Sequence, residues 1–298
     1  MKGIYTKKSI LIGLTSFITV LLAMPIGHAL MILMELLMPP TAMHYAAFAM
    51  GAVGLVMVII GIYVKGNTQQ TLWGLFGGLL FWTGWIEFMY VYYAARFDVK
   101  PMLDVAGKVI TKPEYAIMPS SFGFWVMFMI LYLFNAKTGC DFFIFLQKKI
   151  FRHSKVEINL HPLSPYTSIV MFMEVNTTLW TCYLLLLFCY DNNFIGIYNP
   201  VTFIVAFGSL IGSLFMFRHL LKINTWGYAI RYAFATVVVF WNFVEILGKW
   251  NFFKEIWLHP VEYRNQMIAI SSLFLVFVIY LIIASRKRKK LYKSKIST

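Results

Sequence analysis

The sequence predicts an all-α, polytopic membrane protein of about eight transmembrane helices, and three observations predict it. Hydrophobic residues make up 60% of the 298-residue chain and charged residues 13%, against about 45–50% and about 25% in soluble domains. The apolar residues are gathered into eight long segments, most of them near the ~20 residues that cross a bilayer. The basic residues cluster at alternate ends of those segments, as the positive-inside rule requires of a multi-pass chain. Spans of this number consume most of the length, so a separate soluble catalytic domain has no room.

In order, the segments are expected at about Ser9–Met38, His44–Val64, Gln70–Ala95, Pro119–Ala136, Tyr166–Tyr190, Pro200–Phe217, Trp226–Gly248 and Asn265–Ser285. Turn or charge signals separate several of them: Pro39-Pro40, Lys65-Gly66-Asn67, Lys137-Thr138-Gly139, Asp191-Asn192-Asn193 and Lys222-Ile223-Asn224. Segments this long and uniform are helices, because a lipid-exposed backbone must satisfy its own hydrogen bonds and barrel strands are shorter and alternating. Lys2, Lys7 and Lys8 before the first segment also resemble the start of a signal peptide. A signal core is only about 7–15 residues and ends at small residues. Here the apolar character runs past Pro25 to Met38, so a retained helix kinked at Pro25 is expected. Residues 1–298 therefore read as one integral membrane domain, with residues 286–298 a basic tail.

Eight spans place both termini on one side. With the termini inside, nineteen of the 26 basic residues face the cytoplasm together with Asp141 and Glu157; the outer side holds seven basic and six acidic residues. The net charges are then +17 inside and +1 outside. The expected location is a plasma or inner membrane with cytoplasmic termini. Seven of the inner basic residues lie in the tail from Arg286 to Lys295, directly after an apolar run. Such a tail suits anionic lipid headgroups, and the charge placement argues against nucleic acid. Gly139–Arg152 reads as an interfacial amphipathic helix, with Phe142, Phe143 and Phe145 on one side and Lys148, Lys149 and Arg152 on the other. Cys140, Cys182 and Cys189 are odd in number and form no CxxC, so they read as small interior residues, with neither a disulfide nor a zinc site. On the sixth segment, Gly208-x-x-x-Gly212 with Ser209 and Ser213 predicts a helix-packing face, with Val201 and Phe203 toward lipid.

Two stretches share an order of features. Trp73-Gly74, Phe81-Trp82, Trp85-Ile86-Glu87, Pro113-Glu114-Tyr115 and Ser120-Ser121 correspond to Trp226-Gly227, Phe240-Trp241, Phe243-Val244-Glu245, Pro260-Val261-Glu262-Tyr263 and Ser271-Ser272. The spacings differ, and the third and seventh helices run the same way, so the match predicts at most a parallel four-plus-four duplication.

Four acids remain at membrane depth: Glu35, Glu87, Glu174 and Glu245. An ionisable group inside a span costs about 2.5–3.5 kcal/mol on insertion scales, so it faces an interior or cavity and marks a functional site by default. Each has polar or aromatic company. Glu35 follows His28 by seven residues; Glu87 is flanked by Trp82, Thr83, Trp85 and Tyr90; Glu174 precedes Asn176 and a stripe of Thr177, Thr178 and Thr181; Glu245 follows Trp241 and Asn242 and precedes Lys249 by four. Glu35, Glu87 and Glu245 fall in the outer half of the expected bundle and Glu174 near its middle. Glu245 with Lys249 also has the spacing of a helix-end ion pair.

Facing haem-ligating histidines, histidine-rich boxes, HExxH, GxSxG and phosphate loops are absent, and no ExxH pair supports a carboxylate-rich metal centre. No cofactor and no metal is expected. The sequence predicts a protein that binds, and as a transporter would move, a small or lipid-like solute in an outward-facing polar and aromatic cavity. Its rivals are an intramembrane lipid-modifying enzyme using glutamate acid–base chemistry, and a non-catalytic subunit or assembly factor of a membrane complex.

Overall fold

The computed structural model describes residues 5–103, 107, 109–135 and 166–296. It is helical, with α1 at Lys7–Leu37, α2 at Pro40–Tyr63, α3 at Asn67–Phe81, a π-helical segment at Trp82–Glu87 and α4 at Phe88–Arg96. Two short strands, β1 (Met102–Leu103) and β2 (Val109–Thr111), pair antiparallel before α5 (Pro113–Ile117) and α6 (Phe122–Asn135). The chain continues through α7 (Thr167–Tyr190), α8 (Pro200–Leu220), α9 (Trp226–Lys249), a 3-10 turn at Ile256–Leu258 and α10 (Arg264–Ile296).

Six described helices are long and apolar enough to cross a membrane: α1, α2, α7, α8, α9 and the Arg264–Ala284 part of α10. They make this a multi-pass helical membrane protein. The other two expected segments take different forms. Residues 67–96 are helical throughout but change to π geometry at Trp82–Glu87. The helix beginning at Phe122 is described only to Asn135. The expected interfacial helix at Gly139–Arg152 and Cys140 lie outside the described residues.

Local chemistry explains the helix ends. Thr6 and Ser9 form a reciprocal capping box at the start of α1, each side chain accepting from the other's backbone N–H at 3.0 Å. The expected Pro25 kink does not break α1, which is one helix across that residue. Pro40 and Pro200 occupy first-turn positions, where no backbone N–H is needed. Asn199 caps α8 by accepting from the Val201 N–H at 2.9 Å. Gly66, with φ of 116°, makes the reversal between α2 and α3 in a conformation that disfavours a Cβ.

Burial orders the bundle. α9 is enclosed on nearly every side from Trp226 to Val238, and 67% of its most apolar window is buried, as is 61% for α7. The corresponding shares are 22% for α8 and 11% for α10, so those helices keep broad faces toward lipid. The main core joins α7 and α9 through Met171, Val175, Ile230, Phe234 and Val237.

Close backbone approach locks α2 to α3. A Cβ built on Gly54 would lie 2.6 Å from the Gly77 carbonyl oxygen, and one on Gly77 would lie 2.7 Å from the Gly54 oxygen. Gly84 meets the backbone of Ala47 and Gly51 in the same way. This is the small-residue packing that lipid-embedded helices use, and it is not where the sequence placed it. Around Gly208 and Gly212 nothing lies within 4 Å of a built Cβ. α8 packs through Thr202, Ala206, Ser213 and Leu220, so of the expected face Ser213 packs while the glycines do not, and the packing expectation is corrected at Gly208 and Gly212.

The two ends of the bundle are chemically distinct. At one end Thr6 donates to Asn224 at 3.4 Å and Asn67 donates to Thr167 at 3.3 Å. At the other lie Glu35, Lys112, Glu87, Glu245 and Glu255. The two stretches with matching sequence order differ in backbone: Trp82–Glu87 is π-helical, whereas Phe240–Glu245 continues the α-helix of α9.

Candidate functional site

A cavity of about 130 Å³ opens among α1, α5, α7 and α9 at the Glu245 end. Its deeper wall is apolar, built from Met24, Leu179, Leu186 and Val238, while its rim carries His28, Lys112, Glu245, Lys249 and Glu255. The strand pair delivers Thr111 and Lys112 to this rim. One apolar wall and one polar rim of mixed charge is the usual construction of a small-molecule site.

Glu245 is built into the wall. Trp241, one turn back on α9, donates its indole N–H to Glu245 Oε1 at 2.8 Å. His28 Nε2 of α1 lies 3.5 Å from the same oxygen, and its ring stacks on Trp241 with centroids 6.2 Å apart. Lys249 holds its ammonium 5.6 Å from the centre of the Tyr190 ring. Asn242 is buried and points its amide at Cys182 Sγ, 3.5 Å away.

Glu87 stands behind the cavity. It is 5% exposed, and Oε1 accepts the hydroxyl of Tyr183 at 3.1 Å and of Tyr115 at 3.4 Å. Both tyrosines line the cavity. The sequence put Glu87 and Thr83 on one helical face. The segment between them is π-helical, the Phe88 N–H reaching back to the Thr83 carbonyl, and the two side chains meet different surroundings. Thr83 lines a different, apolar space. Trp82 is buried, its ring 5.5 Å from that of Tyr183. Trp85 leaves the site altogether, donating to the Phe48 carbonyl at 2.9 Å on α2. Tyr90 packs against the main core.

Glu35 reaches the rim through Lys112, whose Nζ is 3.1 Å from Glu35 Oε2 and 3.8 Å from Glu114 Oε1. Burial lifts the Glu114 carboxyl above the usual range, although its own backbone amide and Lys112 pull it down. Glu255 is also raised, first by burial and then by the neighbouring Glu245, against the opposing charge of Lys249. Glu174 is 3% exposed, but neither it nor Asn176, whose amide donates to the Phe172 carbonyl at 2.8 Å, lines the cavity. Three of the four membrane-depth carboxylates thus gather around one space, and Glu174 does not.

Sequence reasoning missed the residues that complete the wall. Thr111 and Tyr190 are 3% and 5% exposed and line the cavity, and neither hydroxyl oxygen has a hydrogen-bond partner among the described residues. Tyr115 and Tyr183, which hold Glu87, were also passed over, because single tyrosines are unremarkable in a chain this aromatic. Arg231, counted at the inner surface, is 3% exposed inside α9, with its guanidinium 4.6 Å from the Tyr228 ring centre. A lone basic residue inside an otherwise apolar window was its signal. No protein-family model, curated protein or solved structure matches this chain.

Proposed function

We propose that this protein binds a small or lipid-like solute in the cavity ringed by His28, Thr111, Lys112, Tyr190, Glu245 and Glu255. The observation that carries the reading is the pair of hydroxyls on Thr111 and Tyr190, buried in the cavity wall without partners among the described residues. A buried polar atom left unpaired costs about 1–3 kcal/mol, so such atoms are normally retained where something else pairs with them. The mixed charge of the rim and the apolar Leu179, Leu186 and Val238 below it suit a solute with a polar end and an apolar body. We read residues 67–96 and the helix starting at Phe122 as two further spans; with the excess of basic residues on the terminal side, both termini then lie in the cytoplasm of a plasma or inner membrane and the cavity faces outward.

Mass spectrometry of the protein released from gentle detergent tests the reading. Wild type is expected to retain a small amphiphilic molecule that the Tyr190→Phe, Glu245→Gln double variant loses. Equal retention by both would reject this cavity as the site.

A second reading, acid–base chemistry on the bound solute, is favoured by the 3.5 Å approach of His28 Nε2 to Glu245, slightly longer than the ~2.6–3.2 Å of a proton-sharing pair and of the kind that tightens on binding. Chemical change of the retained molecule by purified wild type, and none by His28→Gln, would support it over binding alone.

A further inference from the structure

A second space of about 100 Å³ lies among α1, α3, α9 and α10, walled by Val20, Leu75, Leu79, Phe234, Phe274 and Leu281. Its polar side chains are the hydroxyls of Ser16, Thr19 and Thr83; Thr19 turns back onto the Thr15 carbonyl at 2.8 Å, and the Ser16 oxygen is buried with no partner among the described residues. The space is therefore hydrocarbon in character. Two observations connect it to the outer cavity and to the bilayer. Met24 stands in both walls, so the two spaces meet at an unbranched thioether side chain, the most adaptable of core residues. Gly27 also lines the second space, is exposed, and has nothing within 4 Å of a built Cβ, so the wall is open there.

We infer that the outer cavity and this apolar slot are two halves of one site for a long-chain amphiphile, with the polar head among His28, Lys112, Glu245 and Glu255 and a single linear hydrocarbon chain passing Met24 into the slot. This rests on the reading of the outer cavity as a solute site and narrows its substrate class. The head is assigned to the outer cavity because the charged side chains stand there, both signs together, which suits a zwitterionic or uncharged head. The chain is assigned to the slot because its wall carries no charged group and only three hydroxyls among apolar side chains. Transfer of a chain from lipid into the slot exchanges one apolar surround for another, so the slot selects by shape and length rather than by a large affinity gain.

The test uses the full chain in phospholipid nanodiscs and hexadecylphosphocholine carrying a photoreactive diazirine, in one version at the head and in another at the chain end. Crosslinks are mapped by mass spectrometry. The head probe is expected on outer-cavity residues such as Tyr190 and Lys112, and the chain-end probe on Leu79, Phe274 or Leu281. Gly27→Phe fills the slot without a backbone clash and should cut chain-end labelling there at least tenfold. The same variant should leave head labelling by the short octyl homologue within twofold of wild type. Head labels in the outer cavity with chain-end labels spread over lipid-facing surfaces would overturn the two-part site and leave the outer cavity standing. Absence of head labels from the outer cavity would overturn both. Should Gly27→Phe fail to fold, the wild-type chain-end map alone decides, and Gly27→Leu provides the blocked slot.

Discussion

Tyr183 on α7 donates its hydroxyl to Glu87 across 3.1 Å, and Glu87 is the last residue of the π-helical segment. The carboxylate also receives Tyr115 of the short helix α5 at 3.4 Å, so one buried group ties a membrane-spanning helix to its neighbour and to the short helix that follows the strand pair. Gln at position 87 keeps an oxygen that can accept from both tyrosines, whereas Leu keeps none. Glu87→Gln should fold with a melting temperature close to wild type in detergent. Glu87→Leu should lose about 1–3 kcal/mol for each tyrosine hydroxyl left buried without a partner. Equal stability of the two variants would show that the tyrosine bonds contribute nothing.

Tyr190→Phe should act with opposite signs on stability and on binding. Its hydroxyl is buried without a partner among the described residues, so deleting it should stabilise the ligand-free protein, by about 1 kcal/mol on the usual scale for such groups. The same deletion should weaken solute retention. A thermal shift assay on delipidated protein and mass spectrometry of bound solute give the two readings. A variant that is destabilised and still retains solute would remove Tyr190 from the site.

Glycine positions should separate sharply. Gly77→Leu forces a side chain against the Gly54 carbonyl, and overpacking of this kind costs about 1–3 kcal/mol or more. Gly208→Leu projects into open space and should change stability by no more than about 0.5 kcal/mol. Detergent-solubilised yield and melting temperature of the two variants check this. Matching losses would place Gly208 in an interface.

The raised carboxyls of Glu255 and Glu114 set a direction for pH dependence. A carboxyl whose native affinity for protons exceeds its unfolded one binds a proton preferentially in the folded state, so its contribution is full below the ordinary carboxylate range and is lost as pH rises through the native value. The melting temperature should therefore fall across that window. Glu255→Gln removes one of the groups that must ionise beside Glu245, so it should flatten the fall and raise the melting temperature at neutral pH. An unchanged pH profile in the variant would show that Glu255 ionises as readily folded as unfolded.

Topology is open to direct measurement. Reporters fused after Gly66, Lys155, Lys222 and Thr298 are expected to read cytoplasm, and fusions near Asp104, Asn193 and Glu255 are not. An outer signal at Lys155 would reject eight spans.

Much of the fold was legible because hydrophobicity alone identifies segments that must sit in lipid. The helices at Pro40–Tyr63, Thr167–Tyr190 and Trp226–Lys249 lie within a few residues of the apolar runs. The gathering of Glu35, Glu87 and Glu245 toward one end of the bundle was also legible, since counting residues from a helix end gives depth. Facing direction was not. In lipid both sides of a helix are apolar, so α8 carries no periodic contrast to show that Thr202 and Ala206 pack while Gly208 does not. The pairing of Glu87 with tyrosines was hidden for another reason: face assignments from i, i+4 spacing assume α geometry, and Trp82–Glu87 departs from it. Residues such as Tyr190 and Thr111 matter through what their hydroxyls lack, which no spacing reveals.

The π-helical turn puts the two halves of the helix over residues 67–96 out of phase by one residue. The inner half is indexed to α2, where Gly77 and Gly84 meet its backbone; the outer half is indexed to the tyrosines, where Glu87 must point. A continuous α-helix could satisfy only one of these alignments, because each residue advances the helix by about 100°. The π turn absorbs one extra residue, so forcing Trp82–Glu87 into α geometry at unchanged chain length would rotate Phe88–Arg96 relative to α3 by about that angle. The glycine contacts at Gly54 and Gly77 would survive, while the carboxylate would be carried away from Tyr115 and Tyr183. The extra residue thus works as a clutch between membrane packing and the outer cavity, and each half of the helix can vary in sequence without forcing the other out of alignment.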